Sequence, residues 1–107
     1  MKKIPSKLNI GGLLINVEIV HRCEGDVLGL CNSAEGKILI ANTFDGKPQS
    51  ETSKINTYWH EVVHCILDTM GEEELSENEK FVSCFSSFLT EVMANAYFKE
   101  WNAYGYK

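Results

Sequence analysis

Residues 57–71, TYWHEVVHCILDTMG, decide the fold, because their apolar side chains repeat with the period of an α-helix. From about Ser53 onward, one side of the helical wheel collects Trp59, Val62, Val63, Ile66, Leu67 and Met70. Gly71 follows the last of them, and glycine commonly ends a helix in the left-handed conformation. The segment is therefore predicted to be an amphipathic helix whose apolar face packs on another layer of the protein.

The part of the chain that precedes this helix alternates with the period of two that is typical of β-strands. Gly11-Gly12 is a two-residue turn signal, and the next residues form one alternating apolar face: Leu13, Ile15, Val17 and Ile19. Residues 27–31 and 37–41 are two further short apolar runs, separated by the turn-prone sequence NSAEG. These patterns predict a small antiparallel sheet of three or four strands within residues 7–42.

A second helix is predicted to begin at Ser76, after the solvated acidic connector of residues 72–74. Its apolar stripe is interpreted as core: Phe81, Val82, Phe85, Phe88, Leu89, Val92 and Met93. A chain of 107 residues, 44% of them hydrophobic, has the usual size and composition of one domain. We therefore expect residues 1–107 to form a single α+β domain in which the sheet packs against the two helices.

Charge and composition argue against several classes of partner. The net charge is −5, and Lys2, Lys3 and Lys7 are the main local group of cations, so no nucleic acid partner is expected. Pro5 and its polar neighbours interrupt any signal-peptide core, and no segment approaches the roughly 18 apolar residues of a membrane helix. The sequence predicts a cytoplasmic protein without a membrane partner, and it leaves the oligomeric state open.

The four cysteines are Cys23, Cys31, Cys65 and Cys84. Cys65 and Cys84 fall inside helical apolar patterns, where a free thiol behaves as a small buried hydrophobe. Cys23 and Cys31 lack the Cys-x-x-Cys spacing of a zinc or redox site, and no chemical role is assigned to them. Reduced thiols are therefore expected.

His60, Glu61 and His64 form a His-Glu-x-x-His motif on the first helix. Positions i and i+4 project from one helix face, so the two imidazoles can bind one metal ion. Glu61 lies about 100° around the wheel, where it reaches a water on the metal more easily than the metal itself. The alternative is a surface helix that carries these residues by coincidence, but the clear amphipathic pattern favours a zinc site.

A catalytic zinc ion usually has three protein ligands and an open position for water. His21, the remaining histidine, lies at the end of a predicted strand and is not expected to be a ligand. Among the acidic residues near the second helix, Glu79 lies at the edge of the apolar stripe, whereas Glu77 projects toward solvent. Glu79 is therefore the predicted third ligand, although Ser76 and Glu79 also match a Ser-x-x-Glu capping box.

TYWHEVVHCILDTMG followed by ENEKFVSCFSSFL resembles the small metallopeptidases of the ImmA/IrrE type and their relatives in phages and mobile elements. The resemblance covers roughly residues 57–93. In that family a helix with the pattern Glu-x-x-Ala-Asn/Asp-x-Phe-Ala supplies the third zinc ligand, and Glu79 occupies the position of its glutamate. The chain departs from the pattern at Ser83, which replaces Asn or Asp, and at Val82 and Ser86, which replace alanine.

The resemblance implies a zinc-dependent endopeptidase that acts on a protein, for example a regulatory protein of a mobile element. Zinc would activate water and polarise the scissile carbonyl, and Glu61 would carry the proton to the leaving amine. The strand of residues 37–41 is implied to bind the substrate backbone. The oxyanion donor is left open among Tyr58, His21 and the C-terminal tyrosines, and a zinc-containing interaction module without turnover is the alternative function.

Overall fold

The computed structural model describes residues 4–96 and the backbone of residues 101–102 and 105–106. The strands are β1 (Lys7–Ile10), β2 (Leu13–Val20), β3 (Gly29–Asn32), β4 (Lys37–Ala41), β5 (Thr43–Phe44), β6 (Lys47–Pro48), β7 (Trp101–Asn102) and β8 (Gly105–Tyr106). The helices are α1 (Glu51–Met70), α2 (Glu73–Ser76) and α3 (Glu79–Asn95).

A four-stranded sheet in the order β1-β2-β4-β3 packs against the helices and confirms the α+β class. The β1–β2 and β3–β4 pairs are antiparallel, but β2 and β4 are parallel, so the sheet is mixed and not antiparallel throughout as predicted. The connection of residues 21–28 is the reason, because it carries the chain past the place of β4 and puts β3 at the edge. The chain then turns back and lays β4 beside β2.

Strand β4 is an inner strand of the sheet, and its residues Ile38, Ile40 and Ala41 are completely buried. Both of its edges are paired, one with β2 and the other with β3. The implied role of residues 37–41 as the strand that binds substrate is therefore wrong. Within the described part of the chain, the edge strand on this side of the sheet is β3.

Helix α1 forms where the apolar periodicity predicted it. Ser50 caps the first turn by accepting a hydrogen bond from the Ser53 amide, and Gly71 ends the helix with a φ of 81°. Tyr58, Val62 and Cys65 join the sheet residues in the main hydrophobic core. The site motif is therefore carried by a helix that is fixed on its opposite side by the sheet.

Helix α3 begins three residues later than predicted. Asn78 is its N-cap and accepts a hydrogen bond from the Phe81 amide, whereas Ser76 ends the short helix α2 that replaces the predicted connector. Val82 is completely buried against Val63 and Leu67 of α1. Part of the predicted stripe is not core, and the strongly exposed members are Phe85, Phe88 and Val92.

The four cysteines are free, as the sequence predicts. Cys23 and Cys65 are buried, but Cys84 is exposed, because it lies on the face of α3 that points away from α1. Among the described helices, none combines the length and the apolar composition that crossing a bilayer requires.

Gln49 connects the sheet to the start of α1. Its amide nitrogen donates hydrogen bonds to the carbonyl oxygens of Ala41 and Leu28, while its amide oxygen accepts from the hydroxyls of Ser53, at 2.6 Å, and Thr57, at 3.2 Å. The side chain is buried, and all of its hydrogen-bonding capacity is used. Gln49 therefore fixes α1 relative to the segment that leads into β3.

We expect Gln49→Glu to lower the free energy of unfolding by about 2–4 kcal/mol, because a buried carboxylate oxygen would face two carbonyl oxygens that now accept hydrogen bonds. Urea denaturation measures the change. Asn9→Asp, which adds the same charge at an exposed position of β1, is the matched control and should cost less than about 0.5 kcal/mol. Equal effects of the two substitutions would contradict the role of Gln49.

Candidate metal centre

His60 and His64 lie one turn apart on α1, with their ring centroids 5.0 Å apart. Their side chains are 23% and 17% exposed, so the two rings lie at the boundary between the core and solvent. The i, i+4 spacing of the motif is responsible for this arrangement, because it places both rings on one face of the helix. The helix thus supplies two nitrogen donors before any other element contributes.

Glu79, the first residue of α3, provides the third donor. Its Oε1 lies 3.3 Å from His60 Nε2, and its Oε2 lies 3.3 Å from His64 Nε2. One ligand atom from each of the three side chains falls within 4.8 Å of the others, which makes the group a candidate metal site. The structure brings together the predicted triad, with Glu79 directed at the histidines and not at the Ser76 amide, and Glu77 is not part of the group.

Burial disfavours the charged form of the His60 imidazole and lowers its pKa, and the adjacent His64 lowers it further. The Glu79 carboxylate opposes this shift without cancelling it. A neutral imidazole keeps a lone pair on one nitrogen, which is the form that binds a metal ion. The surroundings of His60 therefore favour the neutral form that can bind a metal ion.

Ser76 orients the second histidine, since its Oγ lies 3.1 Å from His64 Nδ1. A metal-binding histidine usually donates its other ring N–H to such a partner, which fixes the tautomer and the direction of the ligand nitrogen. Ser76 is buried at the end of α2. This contact could not be predicted from the chain order alone, because the Ser-x-x-Glu pattern pointed to a helix cap instead.

Glu61 is 7% exposed and lies beside the triad without belonging to it. Burial raises the pKa of its carboxyl from 4.5 to about 7, and the nearby Glu79 carboxylate contributes to the shift. A carboxyl group with a pKa near neutrality can both accept and release a proton at physiological pH. Glu61 is not part of the group of three possible ligands, and the sequence predicted that it lies about 100° around the wheel from the histidines.

A cavity of about 580 Å³ opens beside the triad, between α1 and β3. Gly29 of β3 lines the cavity where the strand packs tightly against α1. A Cβ at this position would lie 2.6 Å from Thr57 Cγ2 and 3.1 Å from Glu61 Cγ. A larger residue would have to push the strand away from the helix. The floor follows α1 as far as Asp68, and Glu79 contributes to the lining from α3.

Cys31 also lines this cavity and packs against the core cluster that contains Cys65. The neighbouring Cys65 thiol and burial raise the pKa of the Cys31 thiol. The spacing of the cysteines along the chain did not indicate the contact, because it depends on how β3 lies across α1. The pair marks a second point, beyond Gly29, at which the strand contacts the helix.

Two of the residues considered as oxyanion donors, Tyr58 and His21, do not line the cavity. Tyr58 is buried in the core, where its ring packs edge-on against Trp59 with the centroids 5.0 Å apart. His21 is exposed and does not line the cavity. The side chains of the C-terminal tyrosines, Tyr97, Tyr104 and Tyr106, lie outside the described residues.

Comparison of the chain with models of known protein families, with curated proteins and with solved structures finds no match. Of the features that the resemblance to the ImmA/IrrE type implied, the structure contains the three side chains of the metal site. The candidate site therefore rests on its own geometry and chemistry.

We expect Glu79→Gln to weaken Zn²⁺ binding, because a carboxylate ligand is removed. Loss of a residue that only hydrogen-bonds to a metal ligand typically costs roughly 10–100-fold in affinity, and the loss for Glu79→Gln should be larger. Competition titration against a chromogenic chelator measures the affinity. Glu77→Gln is the matched control, since it removes an exposed carboxyl two residues away, and it should bind Zn²⁺ as the wild type does. A larger loss for Glu77→Gln would contradict the assigned triad.

For the metal-free protein, the raised pKa of Glu61 predicts that the free energy of unfolding depends on pH. Between pH 4.5 and about 7 the folded state binds more protons at Glu61 than the unfolded state, so stability falls as the pH rises through this window. Glu61→Gln removes the titrating group, and its advantage over the wild type should grow to about 3 kcal/mol at pH 8.

Urea denaturation in the presence of a chelator, at pH 4 and pH 8, measures this difference. Glu77→Gln is again the control and should follow the wild type at both pH values. A constant difference between Glu61→Gln and the wild type would show that the Glu61 carboxyl is not perturbed by its surroundings.

Proposed function

We propose that this chain is a zinc-dependent peptidase that hydrolyses peptide bonds in a protein substrate. His60, His64 and Glu79 hold the zinc ion, and Glu61 is the general base. The observation that carries the proposal is a buried carboxyl group with a pKa of about 7, placed next to a His-His-Glu triad in an open cavity. A purely structural metal site has no use for such a group.

The donor set supports zinc as the metal. Two imidazole nitrogens and one carboxylate oxygen are the ligands of several catalytic zinc sites, which leave the fourth position for water. In a tetrahedral site with bonds of about 2.0–2.1 Å, neighbouring ligand atoms lie roughly 3.3 Å apart. Glu79 Oε1 lies at this distance from His60 Nε2, and Glu79 Oε2 lies at this distance from His64 Nε2, so the carboxylate is within ligand range of both histidines. The 66% exposure of Glu79 keeps the site open to solvent.

Glu61 performs the proton transfers in this proposal. A zinc ion in the site would lower the pKa of a water molecule and polarise the scissile carbonyl. Glu61 accepts the proton of the attacking water and passes it to the leaving amine, which a carboxyl group with a pKa near neutrality does in both directions. Its burial also keeps bulk water away from the carboxylate.

Strand β3 is the proposed docking edge for the substrate backbone. The Ala41 amide donates to the Leu28 carbonyl, so that pair is hydrogen-bonded, and the alternation of an antiparallel ladder turns the amide and carbonyl groups of Gly29 and Cys31 outward. An extended peptide can add to this edge as a further strand. Gly29 would then hold the peptide beside Glu61.

A zinc-containing interaction module without turnover is the second candidate. The observation that favours it is the exposed aromatic face of α3, where Phe85 is 50% and Phe88 is 68% exposed. Large apolar residues grouped on a surface are typical of sites that contact another protein. The module and the peptidase share the same zinc ligands, so a substitution of Glu61, which only the peptidase requires, distinguishes the two functions.

We expect Glu61→Gln to retain zinc and the fold while lowering hydrolysis by about 10²–10⁴-fold, because the proton carrier is lost and the ligands are not. Zinc-loaded wild type and variant are incubated with host-cell extract, and fragments are identified by mass spectrometry. Zinc content and circular dichroism are measured on the same samples.

His60→Ala is the comparison for metal loss and should remove zinc as well as hydrolysis. New fragments with the wild type alone would support the peptidase. Identical fragment profiles for wild type and Glu61→Gln, together with an intact protein captured equally by both, would favour the interaction module.

A further inference from the structure

We propose that Asp68 is a specificity-determining residue that selects a lysine or arginine side chain in the bound peptide. The inference rests on the proposed function, since it assigns a substrate class to the same cavity. Asp68 lies at the end of the cavity floor, beyond the metal ligands, and has no part in the proposed chemistry.

Helix geometry places Asp68 in line with the site. Measured around the helix axis from His60, His64 lies at about 40°, Asp68 at about 80° and Glu61 at about 100°. Asp68 is therefore on the same face, one turn and about 6 Å beyond His64 along the axis. A ligand that lies along this face passes the metal ligands and then meets the Asp68 carboxylate.

The register of β3 against α1 gives the corresponding position in a bound peptide. Gly29 lies against Glu61, since a Cβ at Gly29 would be 3.1 Å from Glu61 Cγ, and two residues later Cys31 packs against the cluster that contains Cys65. Two residues of strand therefore match about one turn of helix. Side chains of paired residues in adjacent strands project from the same face of the sheet. A peptide residue opposite Cys31 therefore directs its side chain toward α1.

The remaining distance from Cys65 to Asp68 is about 4.5 Å along the helix axis. A long and flexible side chain such as lysine or arginine covers this distance, whereas a short one does not. The selected residue lies two positions from the peptide residue that Gly29 holds beside Glu61.

Charge completes the argument. Three carboxyl groups line the cavity, and the described residues that line it include no lysine or arginine. In the proposed function Glu79 is a metal ligand and Glu61 is the base for a water molecule, which leaves Asp68 without an assigned cation. In the part of the chain that the structure describes, no lysine or arginine nitrogen lies within 4.0 Å of the Asp68 carboxylate.

The test uses fluorescent decapeptide mixtures in which one position at a time is fixed as Lys, Arg, Gln or Asp. Binding is measured with the zinc-loaded Glu61→Gln protein, which needs no turnover, and cleavage with zinc-loaded protein that retains Glu61. We expect Lys or Arg at one position to improve binding and cleavage by about two- to fivefold over Gln, which is the size of effect that an exposed ion pair has. This gain should decrease at high salt.

Asp68→Asn should remove this preference, and Asp68→Lys should invert it in favour of Asp. Glu74→Gln is the control, because it makes the same change in net charge at an exposed residue of α2 that does not line the cavity. It should keep the preference of the wild type. A preference that survives Asp68→Asn, or that is lost equally in Glu74→Gln, would overturn the role of Asp68.

The two readouts separate the two proposals. Binding of basic peptides that depends on Asp68, without cleavage by the wild type, would support Asp68 and contradict the peptidase. Cleavage that depends on Glu61 but shows no preference for basic residues would support the peptidase and overturn the role of Asp68.

Discussion

The candidate metal centre depends on the packing of Val82 against Val63 and Leu67. Helix α1 carries both histidines, but a third donor must come from another element, and this contact is what holds α3 beside α1. Val82 is three residues after Glu79, almost one turn, so the interaction that buries Val82 also directs Glu79 to the histidines. Weakening it would separate the donors without changing any of them.

The other wall of the site is set by the sheet. Gln49 fixes the segment before β3 and the start of α1 in one hydrogen-bond network, and Gly29 lets the strand approach the helix at Glu61. The position of Glu61 therefore depends on two elements that are distant in the chain. The cavity is a consequence of this arrangement, because β3 is an edge strand with no neighbour on its outer side among the described residues.

The sequence was sufficient for features that depend on local periodicity. The histidine pair and the choice of Glu79 over Glu77 follow from positions on a helical wheel, and the end of α1 at Gly71 follows from the left-handed conformation that glycine adopts. It was insufficient where distant segments meet, as in the parallel pairing of β2 with β4, which depends on the path of a connection. The contact of Ser76 with His64 was not predicted either, since Ser76 also fitted a local capping pattern.

Burial changes steadily across the site, from Glu61, which is almost enclosed, through the two histidines to Glu79, which is mostly exposed. The Glu79 carboxylate contributes to the raised pKa of Glu61, because two negative charges are unfavourable at this distance. A cation held by Glu79 would cancel that repulsion and favour the ionised form of Glu61. In the proposed function this arrangement would couple metal binding to base catalysis, since the Glu61 carboxyl would be ionised most readily when a metal ion is bound by the triad.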